Sequence, residues 1–197
     1  MKIYILRHED RLDDCSLFTP LTKMGLINSN NLKNILNNLK INIIFSSPFI
    51  RTLQTIYPYS KYYSYKINLE YGLAEIYHQD LIPIKSCNTE LPEYIAESFN
   101  YNSEYTSIIK ISDIKYPEKY NQVQKRVKQI IYNIICKYWN CDVNIILVTH
   151  QSVCRAILEL INDNLNNEIY NSYLENYPIG KISLIFDNFE WIFKNIN

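Results

Sequence analysis

Lys2-Ile3-Tyr4-Ile5-Leu6 runs straight into Arg7-His8. An arginine fork matches a pair of phosphate oxygens, and a neutral imidazole is a nucleophile near pH 7. The residues before them decide where such a pair would stand. Ile3, Tyr4 and Ile5 are β-branched or aromatic and show no polar alternation. That predicts a short strand buried on both faces of a parallel sheet. In open α/β sheets ligands bind beyond the carboxyl ends of the strands, and Arg7 and His8 stand at such an end. Two polar residues closing one strand mark little more than the surface, so other segments must bring matching groups to the same place.

Two segments do. Ile43-Ile44-Phe45 reads as a second buried strand, which Ser46-Ser47-Pro48 breaks. Pro48 suits the first turn of a helix. Arg51 and Thr55 lie four apart and share one face of it. Asn144 to Val148 reads as another central strand, followed by Thr149-His150 and a helix from about Ser152 to Ile161. Arg7 and Arg51 could each give a phosphoryl group two parallel hydrogen bonds. The N-terminus of the late helix, with a protonated His150, would add an anion site.

The order of these stretches resembles the histidine phosphatase superfamily, the phosphoglycerate mutase-like proteins. Four carry the resemblance: Leu6-Arg7-His8-Glu9, Ser46-Ser47-Pro48-Phe49-Ile50-Arg51-Thr52-Leu53-Gln54-Thr55, Gly72-Leu73-Ala74-Glu75 and Val148-Thr149-His150-Gln151. A fifth, Pro20-Leu21-Thr22-Lys23-Met24-Gly25, is similar to the start of the first helix in these proteins. The continuation Glu9-Asp10-Arg11-Leu12-Asp13 and the Gly-Leu-x-Glu element are closest to a phosphatase branch. That branch includes ecdysteroid-phosphate phosphatases and regulators of T-cell signalling.

The resemblance implies a three-layer α/β/α sandwich with a mostly parallel sheet. It implies a phosphomonoester phosphatase that forms a phosphohistidine on His8, with Arg7, Arg51 and His150 holding the phosphoryl group. Glu75 would protonate the leaving oxygen and later activate water. Glu70 is a rival for that role on the same stretch, and Asp80 a remote one. Arg11 could reach the rim of the substrate. No metal or other cofactor is expected, because the cationic side chains supply the charge. The partner would be a phosphorylated substrate, either a small ester or a phosphoprotein. The alternatives are phosphoglycerate mutase-type transfer and a non-catalytic phospho-ligand module. One departure stands out: the family usually has Gly after Arg-His, and here it is Glu9. The expectation is a carboxylate turned out of the pocket, against a cation such as Arg11 or a lysine.

Composition adds bounds. A chain of 197 residues favours one domain across 1–197 and can bury a real core. Twenty basic and twenty acidic residues give no global field to recruit nucleic acid or a membrane. The sequence leaves the oligomeric state open, a dimer included. Cysteines at 15, 87, 136, 141 and 154 are odd in number and include no Cys-x-x-Cys. This argues against a disulfide framework and a structural zinc, and for a reducing cytoplasm. The short apolar run before Arg7 suits neither a signal peptide nor a membrane span. The 18 tyrosines fit biased codon usage better than a tyrosine chemistry.

Other elements must position these groups. Thr22 is a plausible N-cap without a capping box, and Leu32, Ile35, Leu36 and Leu39 make one apolar helical face. Tyr57-Pro58 should end the helix that carries Arg51. Ile67 and Leu69 mark a third strand. Residues 76–120 are the least periodic and read as a lid or cap with short helices. Residues 119–139 give the clearest helix, with Arg126 on or beside its apolar stripe. Residues 181–193 read as a hairpin turning at Asp187-Asn188.

Overall fold

The computed structural model describes residues 1–78, 90–161 and 168–197. Six strands form one sheet: β1 (Lys2–Arg7), β2 (Ile43–Ser46), β3 (Ile67–Leu69), β4 (Asn144–Thr149), β5 (Ile182–Asp187) and β6 (Glu190–Asn195). Their spatial order is β3-β2-β4-β1-β5-β6. The four strands from β3 to β1 are parallel, and β5 and β6 continue the sheet antiparallel.

Alternation along each strand splits the core into two layers. Ile3, Ile5, Phe45, Ile145 and Leu147 face α4 (Tyr120–Tyr138) and α5 (Gln151–Ile161). Tyr4, Leu6, Ile44, Ile146 and Val148 face α1 (Lys23–Asn38) and α2 (Ile50–Tyr63). The fold is therefore the expected three-layer sandwich with a mostly parallel sheet. A four-residue α3 (Glu93–Ala96) and α6 (Glu168–Glu175) are the remaining α-helices among the described residues. Among the described residues no helix is long and apolar enough to cross a membrane.

Thr22 caps α1 as its spacing suggests, accepting from Gly25 N–H at 3.0 Å. Two local expectations are corrected. The helix carrying Arg51 does not end at Tyr57-Pro58 but runs through Pro58 to Tyr63. The turn beyond the proline is held by burial: Tyr59 is enclosed and its hydroxyl donates to Ile41 O at 2.5 Å. Packing there outweighs the loss of one helical N–H. The hairpin turns one residue later than expected, on Asn188 (φ 49°) and Phe189 (φ 69°). Two positive φ values match the twist of the strands, and Phe189 is retained by its ring contact with Trp139 at 4.6 Å.

Candidate active site

The β2-β4-β1 block puts three carboxyl ends side by side, and each expected cluster leaves from one of them. Backbone bonds tie the exits together: His8 N–H donates to Thr149 O, and Ser47 N–H to Val148 O, both at 3.0 Å. Arg7 and His8 leave β1, Arg51 sits in the first turn of α2 after β2, and His150 links β4 to α5.

His8 is 3% exposed. Its Nδ1 lies 2.7 Å from Glu9 O. A carbonyl can only accept, so Nδ1 carries the proton and Nε2 keeps a free lone pair. Burial, with Arg51 and Arg7 nearby, lowers its pKa to about 3. The ring of His150 meets that of His8 edge-on, with centroids 5.2 Å apart. His150 is fully buried, and its Nε2 pairs with Ser47 Oγ at 2.8 Å. The expected protonated His150 is corrected: burial beside Arg51 and His8 holds its pKa well below the ordinary histidine value. Burial thus favours the neutral form of both imidazoles.

The two arginines bracket the histidines. Arg51 is 2% exposed, donates from Nη1 to Ser16 O at 2.9 Å, and has its guanidinium over Phe49 at 4.4 Å. Burial pulls its pKa down to about 10. Arg7 Nη1 donates to Gln151 Oε1 at 2.9 Å, Asn176 Oδ1 at 3.1 Å and Tyr177 O. Three nitrogens of this group are buried with no hydrogen-bond partner: Arg7 Nε, Arg51 Nε and His150 Nδ1. Buried polar groups are almost always paired, so unpaired donors on the side chains that neighbour His8 are left over for an anion.

Glu75 reaches the same region from the motif after β3. Its Oε1 accepts from Ile76 N–H at 2.9 Å and from Ser152 Oγ, on the first turn of α5. The motif is pressed against α4, where a side chain at Gly72 would collide with Ile130. Arg126 secures it from below, donating to Gly72 O at 2.5 Å and pairing with Glu118 at 2.8 and 3.0 Å. Arg126 is therefore a buried structural cation, neither a ligand for phosphate nor a surface residue. Glu70 is set aside as a rival. Fully buried, it accepts from Gly72 N–H, Tyr105 OH, Ser107 Oγ and the N–H groups of Ile108 and Ile109. Those five donors make it the clamp that joins the 105–109 segment to the motif. Asp80 lies outside the described residues.

Arg11 is turned into its own loop, donating to Asp14 O at 3.2 Å and Cys15 Sγ at 3.0 Å. Its charge still acts on His8, Arg7 and Arg51. Glu9 faces away from them, as expected, but the expected cation is replaced by Asn28, which donates from Nδ2 at 3.3 Å. The carboxylate rests against Gly180, whose φ of +66° and lack of a side chain leave it room. It is 5% exposed, and burial pushes its pKa up. A carboxyl with a raised folded pKa costs stability once pH passes its unfolded value, and the cost is complete above the folded one. Glu9→Gln should thus leave the inhibition constant for inorganic phosphate within about twofold at pH 7, since the pocket charge is unchanged. Its melting temperature relative to the parent should rise between pH 4 and pH 7. Tighter phosphate binding in Glu9→Gln would place the carboxylate in the pocket.

Three groups here carry no sequence signal of their own: Asn176 and Tyr177 around Arg7, and Ser152 on Glu75. Gln151 and Ser152 directly follow His150 in the chain, so the motif places both near the site.

The model of the histidine phosphatase superfamily (branch 1) matches residues 12–197. The sequence matches no curated protein. Among solved structures, the ecdysone phosphate phosphatase from Bombix mori is 15% identical, with a TM-score of 0.73 over 100% of this chain and 92% of that one. The alpha-ribazole phosphatase from Shigella flexneri is 18% identical, with a TM-score of 0.65 over 100% and 96%. A mycobacterial glucosyl-3-phosphoglycerate phosphatase is 15% identical, with a TM-score of 0.65 over 100% and 98%. At these identities the likeness is one of fold.

Proposed function

The chain belongs to the histidine phosphatase superfamily, and we propose that it is a phosphomonoester phosphatase working through a phosphohistidine on His8. The observation that carries this is the set of unpartnered nitrogens, Arg7 Nε, Arg51 Nε and His150 Nδ1, on side chains that neighbour an imidazole whose proton sits on Nδ1. The structural neighbours that are phosphatases support the same chemistry.

In this reading the phosphoryl oxygens take hydrogen bonds from Arg7, Arg51 and His150. His8 Nε2 attacks phosphorus in line, and the P–O bond to the leaving group breaks as Glu75 gives that oxygen a proton. Glu75, now a carboxylate, takes a proton from water, whose oxygen attacks the phosphohistidine. Inorganic phosphate leaves, and His8 and Glu75 return to their starting states. The arginines stabilise the charge that grows on the equatorial oxygens, so no metal is required. Arg11 stands at the rim, and the whole chain works as a single domain. We place the reaction in the cytoplasm, on the unpaired thiols of Cys15, Cys136, Cys141 and Cys154.

The direct test is hydrolysis of 4-nitrophenyl phosphate in EDTA. Arg51→Lys tests the fork: a point charge cannot make the planar pair of bonds. Losing one charged hydrogen bond of about 1.5–3 kcal/mol should lower kcat/KM by about 10- to 100-fold. Both KM and kcat should change, because the arginine holds ground and transition states alike. Full activity in Arg51→Lys would refute the bidentate role.

A further inference from the structure

We infer that the leaving alcohol is uncharged, presents a flat apolar face, and docks in a cleft beyond Glu75. The inference rests on the phosphatase reading for its placement. The cleft has a volume of about 230 Å³ and lies between Glu75, Ile76, Tyr120, Arg155 and Glu175. Its floor includes Gln151, the side chain that holds Arg7 at 2.9 Å. A leaving oxygen that receives a proton from Glu75 therefore has its carbon skeleton at the mouth of this cleft.

The walls select by shape and by charge. The Tyr120 ring forms a flat surface with the Arg155 guanidinium 5.0 Å from its centroid, and Ile76 adds an aliphatic side. Arg155 is already paired: its Nε donates to Glu159 Oε1 at 2.9 Å. Tyr120 OH donates to the other oxygen of Glu159 at 2.8 Å, fixing the ring. One neutralised cation thus stands against the carboxylate of Glu175, beside a Glu75 that holds the proton it donates. A second phosphate or a carboxylate on the leaving group would meet the like charge of Glu175 beside an Arg155 whose charge Glu159 already balances. An aromatic or alicyclic face would instead bury apolar surface on Tyr120 and Ile76.

The test compares 2-naphthyl phosphate with 4-carboxyphenyl phosphate, whose phenols have similar acidity, so the chemical step is matched. The kcat/KM for the naphthyl ester should be higher by at least about tenfold. Glu175→Lys, at an exposed side chain, should narrow that ratio at least threefold, a change of about 0.65 kcal/mol. Tyr120→Ala should lower kcat/KM for the naphthyl ester more than for phenyl phosphate. Equal or reversed preference, or a ratio indifferent to Glu175→Lys, overturns the inference. Binding of 2-naphthylmethylphosphonate and 4-carboxybenzylphosphonate by calorimetry keeps the two proposals apart. A tenfold preference for the naphthyl compound without turnover of any ester would sink the phosphatase reading and uphold the cleft. Turnover with no preference in either assay would do the reverse.

Discussion

His8→Ala should abolish turnover, with kcat falling by at least about 10⁴-fold, because it removes the unprotonated ring nitrogen proposed to attack phosphorus. Rapid quench with labelled substrate should trap an acid-labile phosphoenzyme in the parent and none in the variant. A phosphoenzyme that survives the substitution would end the assignment. The charge state of His8 makes a second, independent outcome. With a folded pKa of about 3 against 6.5 for the free side chain, His8 stays neutral in the folded state across mildly acid pH. The unfolded chain takes up a proton there and the folded chain does not. The histidine's contribution to stability is therefore complete above pH 6.5 and is lost as pH falls towards 3. His8→Asn should flatten the fall in stability between pH 6 and pH 4 by up to one proton, or about 1.4 kcal/mol per pH unit. In the parent, the acid limb of kcat/KM should not follow a histidine titrating near 6.5. An identical pH slope in His8→Asn would mean that the imidazole is charged in the folded state.

The parts legible in the sequence are those encoded by a local pattern. The three parallel strands that end at the site read as uninterrupted apolar runs because both faces are covered. The stripe from Val123 to Ile135 marks α4, since a helix that buries one face must repeat at 3.6 residues. Arg7, His8, Arg51 and His150 could be placed because each follows a strand. The parts that were not legible depend on distant partners. Pro58 is a helix breaker by local rule, and only the burial of Tyr59 carries α2 past it. Glu70 and Glu75 have the same chemistry five residues apart. They are told apart by Tyr105 and Ser107, which occupy Glu70 from 35 and 37 residues away. The charge of His150 is set by enclosure beside Arg51 and His8, a sum over several elements. Charge alone points Glu9 to a cation, yet a half-buried amide on α1 and a bare glycine backbone accommodate it.

Glu75→Gln should separate the two halves of the catalytic cycle. The substitution keeps an oxygen to accept from Ile76 N–H and Ser152 Oγ, so the motif should hold its place. What it removes is the transferable proton. With an alkyl phosphate the departing alkoxide is a strong base, and transfer to His8 should slow by about 10²- to 10⁴-fold. With 4-nitrophenyl phosphate the leaving anion is stable without a proton, so the same step should slow far less. The return of water still requires a base, and that step is common to both substrates. The variant should therefore give a burst of nitrophenolate followed by a slow steady state, and remain nearly silent on the alkyl ester. Single-turnover rates of phosphoenzyme formation on both esters decide the matter. Equal losses on the two would mean that Glu75 only supports the fold of the motif. The proton would then have to come from another group, and Glu70 is not available for it, because all of its hydrogen bonds are to donors that hold the 105–109 segment and Gly72 in place.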